Sequence, residues 1–493
     1  MKHLFYFLFI ITIFSCRKKT TASSQPEKDF ASAGTINNRM GKGINISAFE
    51  ADSTWQPPFD TSYFKIIAGL GFTHVRIPIN WERGDRSMAA PPYTIYPAFL
   101  STIKTVVDAA LRNKLHIIIN MHNHTALMAD PAGQKARFLA QWSQISDYFK
   151  DYPDSLLFEV LNEPNGALTP ALWNDFFAEA LAKIRIANPK RCVLIGTALW
   201  GGVDGLDSLL IPNDDHLILT IHYYNPFHFT HQGAEWVEGS DQWMGTTWND
   251  TQFEREDVSK DFGLVVIKSK TIPVHIGEYG SYNKGDIASR LRWTRFVSNW
   301  ITQHGFSRAY WEFDQGFGFY DLATLQLNMP LVNAIFADTL PLPTPVQLDT
   351  IYAGNFTSGM DGWFLSADAS ASATAAVSNG VISISITRPG TQQWYIQLIK
   401  GGFSIQPGKT YHVSFIASSS ISPRKIYADV AMSTSPWSVY SNYDGFYLTD
   451  QPDSFGFTFT ANTTDPNCNI VFSVGDAGTG TVNISHIVFE EVL

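Results

Sequence analysis

Between residues 41 and 336 the chain alternates short β-branched runs with amphipathic helical patterns, eight times in succession. No other feature constrains the fold as much, because repeated βα units build a parallel sheet whose faces are covered by helices. Strands are expected at 41–47, 74–79, 115–121, 156–162, 192–197, 217–224, 272–279 and 308–313. Several are nearly continuous apolar runs, as in LHIIINM and LILTIHYY, the pattern of strands buried on both sides. Helices are expected at 61–70, 97–113, 135–150, 170–187, 255–269, 287–304 and 322–336, with a weaker stretch at 204–210. Eight such units fit an α/β architecture of the (β/α)8 barrel type with some loop insertion. An open doubly wound sheet would need a Gly-rich phosphate loop after its first strand, and GKGINIS does not continue as one.

At 337–348 the text becomes ADTLPLPTPVQL, whose prolines cannot extend a helix and suit a semi-rigid linker. Residues 349–493 then show alternating runs such as VISISIT, TYHVSFIAS and FGFTFTA between turn residues, an all-β sandwich pattern. The expected layout is therefore a barrel over 38–336, a linker over 337–348 and a sandwich over 349–493. The first 16 residues, MKHLFYFLFIITIFSC, carry one Lys and an apolar run too short to span a bilayer, which reads as a secretory signal. Cys16 directly after that run is the expected lipidation site, and residues 17–37 the expected flexible tether. The protein is thus expected to be exported as an outer-membrane or cell-surface lipoprotein, or otherwise to be periplasmic or extracellular, touching the membrane only through that anchor.

The net charge is -10, with no basic block beyond Arg17-Lys18-Lys19, which argues against a nucleic-acid partner. Cys192 and Cys468 fall in different expected domains and read as small buried fillers, not as a disulfide or a metal cluster.

In such a barrel the reactive site gathers at the C-terminal ends of the strands. The polar residues ending the apolar runs are Arg76, His122, Asn162-Glu163-Pro164, His222-Tyr223-Tyr224, Glu278-Tyr279-Gly280 and Tyr310-Trp311. Glu163 and Glu278 end the fourth and seventh strands, as a two-carboxylate glycoside hydrolysis requires. One must carry a proton and the other a charge. Glu159 shares the strand parity of Glu163 but lies deeper, and is expected to be a buried, paired carboxylate. His122 competes with His124, and either could serve a structural role. Tyr223 alternates away from its neighbours and is expected to pack. His228, His231 and His275 lack metal-ligand spacing.

Residues 41–336 resemble glycoside hydrolase family 5, the cellulase family. The resemblance implies that Glu163, in Asn-Glu-Pro, is the acid/base, with Asn162 bonding the sugar 2-hydroxyl, and that Glu278, in IGEYG, is the nucleophile. It implies that Arg76 holds the nucleophile ionised, that His122, His222 and Tyr224 form the hydrogen-bonding surroundings, and that Trp311 is the platform below the cleaved sugar. It favours His122 over His124. On that geometry the two carboxyl groups stand about 5–5.5 Å apart and the reaction retains anomeric configuration, with no metal or cofactor. The C-terminal part similarly looks like carbohydrate-binding modules of families 4 and 9.

The long insertion after the sixth strand carries Trp236, Trp243 and Trp248, whose indoles could stack on pyranose rings, with at least one expected to pin the loop instead. Trp55 and Trp81 are further subsite candidates. In the sandwich, Trp394, Trp437 and Tyr440 are candidate stacking rings and Trp363 is expected to pack. The expectation is a monomeric retaining β-1,4-glucanase acting on β-glucan or a related plant polysaccharide. The alternatives are the same chemistry on mannan or xyloglucan, and a non-catalytic glycan-binding surface lipoprotein.

Overall fold

The computed structural model describes residues 30–50 and 59–493. The leader, Cys16, most of the expected tether and Trp55 lie outside those residues.

Eight parallel strands close into a barrel: β1 (Lys42–Asn45), β2 (His74–Ile77), β3 (His116–Asn120), β4 (Leu156–Glu159), β5 (Val193–Ile195), β6 (Leu217–Tyr223), β7 (Val274–Tyr279) and β8 (Ser307–Tyr310). Each lies within an expected strand or overlaps it by all but one residue. β8 pairs back onto β1, with Lys42, Gly43 and Ile44 opposite Arg308, Ala309 and Tyr310. Outward-facing residues such as Val75, Ile77, Ile117, Ile119 and Ile221 form the core with the surrounding helices. The inward parity is apolar only near the N-terminal end, where Ile118, Leu157, Leu194 and Ile218 pack together. Further along, it turns polar.

Three expectations need correction. The tether does not run to residue 37, because Ala33–Met40 forms a helix capped by Ser32 that buries Ile36 and Met40 against Ile118 and Leu157. Those apolar side chains close the barrel's N-terminal mouth, which a solvated tether would leave open to water. The helix expected at 322–336 starts only at Met329, behind the Asn328 cap, and a two-stranded ribbon of Tyr320–Asp321 and Gln326–Leu327 precedes it. The helix expected at 255–269 is two, Gln252–Asp261 and Gly263–Lys268, the first fixed by the capping box of Thr251 and Glu254.

The second domain is an antiparallel sandwich of a six-stranded and a five-stranded sheet. Its core includes Ile384, Leu398, Val413, Phe415, Ile426, Phe472 and Ile484, with Trp363 buried among them as expected. Cys192 and Cys468 are free thiols, each buried in its own domain. No described helix is long and apolar enough to cross a membrane.

Candidate active site

Arg76 is the hub around which the polar end of the barrel is organised. Its side chain is fully buried and meets two carboxylates: Nε and Nη2 donate to the two oxygens of Glu159 at 2.6 and 2.7 Å, while Nη1 donates to Glu278 Oε1 at 2.7 Å. The remaining hydrogens go to Asn45 Oδ1 at 2.9 Å and Asn162 Oδ1 at 2.6 Å. Burial alone would favour discharging the guanidinium; Glu159 and then Glu278 more than reverse this and raise its pKa. Glu159 is thus the buried paired carboxylate that its depth suggested, and it fixes the guanidinium plane.

Glu278 reaches the site through an irregularity. Strict alternation would point it outward with Val274 and Ile276, which lie in the outer core. The register between β6 and β7 shifts at this place: Ile221 faces Ile276 but His222 faces Glu278, so Gly277 is an extra residue. A Cβ on Gly277 would stand 2.6 Å from Thr220 Oγ1, so no larger residue fits there without displacement. Glu278 then accepts from Arg76 on one oxygen and from the Tyr224 hydroxyl on the other, at 2.9 Å. Burial, then Glu278 and Glu163, push the Tyr224 hydroxyl well above its ordinary pKa, so it stays a donor.

Glu163 is more exposed than Glu278 and meets no guanidinium. Its Oε1 lies 2.7 Å from His222 Nδ1, which is also 3.6 Å from Glu278 Oε2. Burial works against charging His222, but Glu278 and Glu163 raise its pKa overall. One oxygen of Glu163, one of Glu278 and this nitrogen lie within 4.8 Å of one another. Gly201 gives this trio room: its φ is +69°, and a Cβ there would stand 3.1 Å from His222 Nδ1 and 3.4 Å from Glu163 Cγ.

His122 stacks on Trp311 with ring centroids 5.6 Å apart and planes 10° from parallel. Asn120 accepts the Ile79 N–H on its oxygen, so its amide nitrogen donates to His122 Nδ1 at 3.1 Å. That leaves His122 Nε2–H turned toward Glu50, 3.6 Å away. His124 serves the structural role, its Nδ1 held by the Glu82 carboxylate at 2.9 Å. Tyr223 packs between Phe262 and Trp293 and donates to Asp261.

Around these residues opens a cleft of about 470 Å³. His122, Asn162, Glu163, Tyr224, Trp236, Glu278 and Trp311 all line it, as their strand-end positions suggested; Arg76 and His222 stand directly beneath. Trp236 is 61% exposed and presents its ring there, edge-on to Tyr282. Trp243 does not line the cleft; it stacks on His228 at 4.2 Å and meets Phe227 edge-on. Trp248 is buried and pins the insertion to the barrel. Trp81 is also fully buried, its Nε1–H donating to the Asn120 carbonyl, so it forms no subsite. Sequence reasoning missed Ser47, Glu50, His231, Tyr282 and Glu312 in the cleft wall. It also missed Trp200, 65% exposed in a run of left-handed residues (Leu199, Trp200, Gly201) beside Glu163. The signal available for Trp200 was its place in the loop that follows β5, in Leu-Trp-Gly-Gly.

The family model described as cellulase (glycosyl hydrolase family 5) matches residues 37–316, and one described as a carbohydrate binding domain matches residues 348–479. Among relatives, Endoglucanase H of Acetivibrio thermocellus is 34% identical over 309 residues, which are 60% of this chain and 33% of that protein. This chain therefore spans about a third of that relative's length. Endoglucanase B of Clostridium cellulovorans is 26% identical over 60% of this chain and 72% of its own. Among solved structures, endoglucanase Cel5A of Thermotoga maritima is 44% identical with a TM-score of 0.60, covering 62% of this chain and 100% of that one. The same enzyme has been solved with cellobiose and with mannotriose. With the family model matching more than half of the chain and both of its strand-end glutamates brought together over one cleft, this protein belongs to glycosyl hydrolase family 5.

Proposed function

We propose that this protein is a retaining glycoside hydrolase that cleaves β-1,4-linked glucan, with Glu278 as nucleophile and Glu163 as acid/base. The observation that carries the reading is the pairing of the two carboxylates within 4.8 Å, each in a different electrostatic setting. Inverting hydrolysis needs about 6.5–9.5 Å between the groups to seat a water; here one oxygen of each carboxylate approaches the other within 4.8 Å, which supports the closer, retaining arrangement. Arg76 and Tyr224 donate to Glu278 from both sides, which supports a charged nucleophile. Glu163, turned toward the cleft and held by one imidazole, is placed to give its proton to the leaving oxygen. Glu278 attacks the anomeric carbon as that bond breaks, forming a covalent glycosyl-enzyme. Glu163 then takes a proton from a water that displaces Glu278, restoring the original configuration.

Glu163→Gln is expected to lower kcat on cellulosic oligosaccharides by about 10²–10⁴-fold while glycan binding persists. Proton NMR of the first product should show retained configuration. An active Glu163→Gln enzyme, or an inverted product, would remove the proposal. Mannan is the second substrate to screen, because the 44%-identical relative has been solved with mannotriose as well as cellobiose.

The sandwich is proposed to bind glycan through Trp394 and Trp437, which are 51% and 66% exposed. Tyr440 is the weaker candidate, since its hydroxyl is tied to Asp465. Export and anchoring rest on residues 1–16 alone, and Cys16→Ser should release the protein from the membrane fraction.

A further inference from the structure

Resting on the hydrolase reading, this inference concerns the polar groups inside the closed barrel, beneath the acid/base. Four of their atoms have no hydrogen-bond partner among the described residues: His74 Nε2, His275 Nε2, Thr220 Oγ1 and His222 Nε2. None of these residues is more than 4% exposed, and polar atoms so buried are almost always paired. The four belong to one region. Thr220 stands opposite His275 in the register of β6 and β7, and the His275 ring meets that of His74 edge-on at 5.2 Å. The point where a Cβ of Gly277 would stand is 2.6 Å from Thr220 Oγ1 and 3.2 Å from His222 Nε2, so the bare glycine leaves space between those two atoms.

The hydrogens on the two lower rings follow from what each Nδ1 meets. His74 Nδ1 is 2.7 Å from the Met40 carbonyl, which can only accept, so this nitrogen donates. Asn37 gives its amide hydrogen to the Val274 carbonyl, so its oxygen accepts the Ser307 hydroxyl at 2.6 Å. That uses the one hydroxyl hydrogen of Ser307, whose oxygen must therefore accept from His275 Nδ1 at 2.8 Å. Burial pushes the His74 pKa down to about 3 and that of His275 well below its ordinary value. Both rings are neutral, and each is left with a bare lone pair on Nε2. These two acceptors call for two hydrogens, while Thr220 and His222 each have one to give. A single water matches all four, donating to both rings and accepting from the hydroxyl and from His222 Nε2–H. A cation fits less well, because the buried guanidinium of Arg76 already acts on these rings.

We propose that His74, His275 and Thr220 hold one internal water beneath His222, and that this water fixes the tautomer of His222, so that Nε2 keeps its hydrogen and only Nδ1 exchanges a proton with Glu163. The three are positioning residues that act through His222. In the first step Glu163 must be protonated, and an Nδ1 lone pair accepts its O–H. Without the water the His222 hydrogen moves to Nδ1, which then donates to Glu163 and stabilises the charged form that cannot protonate the leaving oxygen. The charges facing His222 are Glu278, Glu163 and Arg76, with the Tyr224 hydroxyl neutral and the uncharged rings of His275 and His74 below.

High-resolution crystallography of the wild type is expected to show an ordered water within bonding distance of the four atoms. Imidazole nitrogen NMR should find Nε2 of His74 and His275 unprotonated and hydrogen-bonded. Thr220→Val, which keeps the side-chain shape without the hydroxyl, should lower kcat on an aryl β-cellobioside by about tenfold. It should also move the basic limb of the pH profile down by about one unit, and Thr220→Ser should restore both. The proposal is overturned by a crystal structure with no water among these atoms, by a protonated Nε2 on either lower ring, or by a Thr220→Val profile whose basic limb coincides with that of the wild type. A wild type inert on the parent glycoside, or an active Glu163→Gln enzyme, would instead overturn the hydrolase reading, while the water site would still stand or fall on the crystal structure and the NMR.

Discussion

At the scale of single residues, the steepest energetic dependence is that of Glu159 and Glu278 on Arg76. Both carboxylates are buried, and removing their common cation would leave uncompensated charge in the barrel. Arg76→Met is expected to cost about 3–5 kcal/mol in denaturant unfolding and to abolish turnover. Arg76→Lys is the sharper test. An ammonium restores the charge but cannot fork to Glu159 while also reaching Glu278, Asn45 and Asn162. It should fold, yet lose about 10²-fold in kcat/KM, because the nucleophile is no longer held in line; wild-type kinetics in this variant would show that charge alone suffices. The sequence made Arg76, Asn162, Glu163, Glu278 and Trp311 legible for one reason: each ends a strand, and the strand ends of a closed barrel converge. Position without orientation was not enough elsewhere. Trp81 also follows a strand, but its indole turns inward to a backbone carbonyl, and Glu312 sits one residue beyond Trp311, where alternation would send it outward.

Elements show the same limit. The eight strands were legible from their apolar runs, but the shift that aims Glu278 inward depends on one extra residue, Gly277, and alternation read from the sequence cannot place it. In the sandwich the alternation of Arg424–Met432 puts Ile426, Ala428 and Val430 into the core and Asp429 on the opposite face. There Asp429 is only 3% exposed, and no partner among the described residues hydrogen-bonds it. Burial, and then Asp444, push its pKa from 3.8 to about 7. The sign follows from proton linkage: the folded state holds this proton more tightly than the unfolded chain, so the stabilisation is complete below pH 3.8 and is lost as pH rises to about 7. Asp429→Asn should therefore flatten the decline in stability over that range. At pH 8 it should gain up to about 4 kcal/mol, an upper bound set by the full shift. Melting curves at pH 4, 6 and 8 check this, and equal declines in both proteins would exclude Asp429 as their source.

For the whole molecule, the sequence offered two domains and a proline-rich linker but nothing of how they meet, because the contact joins surfaces far apart in the chain. The linker is itself held: the Thr344 N–H donates to the Asp250 carbonyl and Arg255 donates to that of Pro341. The helix Gln252–Asp261 lies against the sandwich, with Phe253 and His412 ring centroids 4.1 Å apart and His412 3.2 Å from Glu256. Farther along, Lys425 and the Tyr447 hydroxyl share Asp207 of the barrel. The most enclosed ion pair in this joint is that of Lys260, 17% exposed, which donates to Asp444 of the sandwich at 2.9 Å and also to Asp257 of its own helix at 3.1 Å. Burial lowers the ammonium pKa, but Asp257 and then Asp444 raise it further, so the charge persists. Lys260→Met would leave Asp444, 11% exposed, without its cation exactly where the domains touch. With Asp257 still partly solvated, the cost should reach up to about 3 kcal/mol. It should fall on the joint and not on either core. Calorimetry is thus expected to show one cooperative transition for the wild type and, for Lys260→Met, a sandwich transition that separates below that of the barrel, with turnover of short soluble oligosaccharides unaltered. A single unshifted transition in the variant would mean that the aromatic contact of Phe253 with His412 seats the sandwich without help from the ion pair.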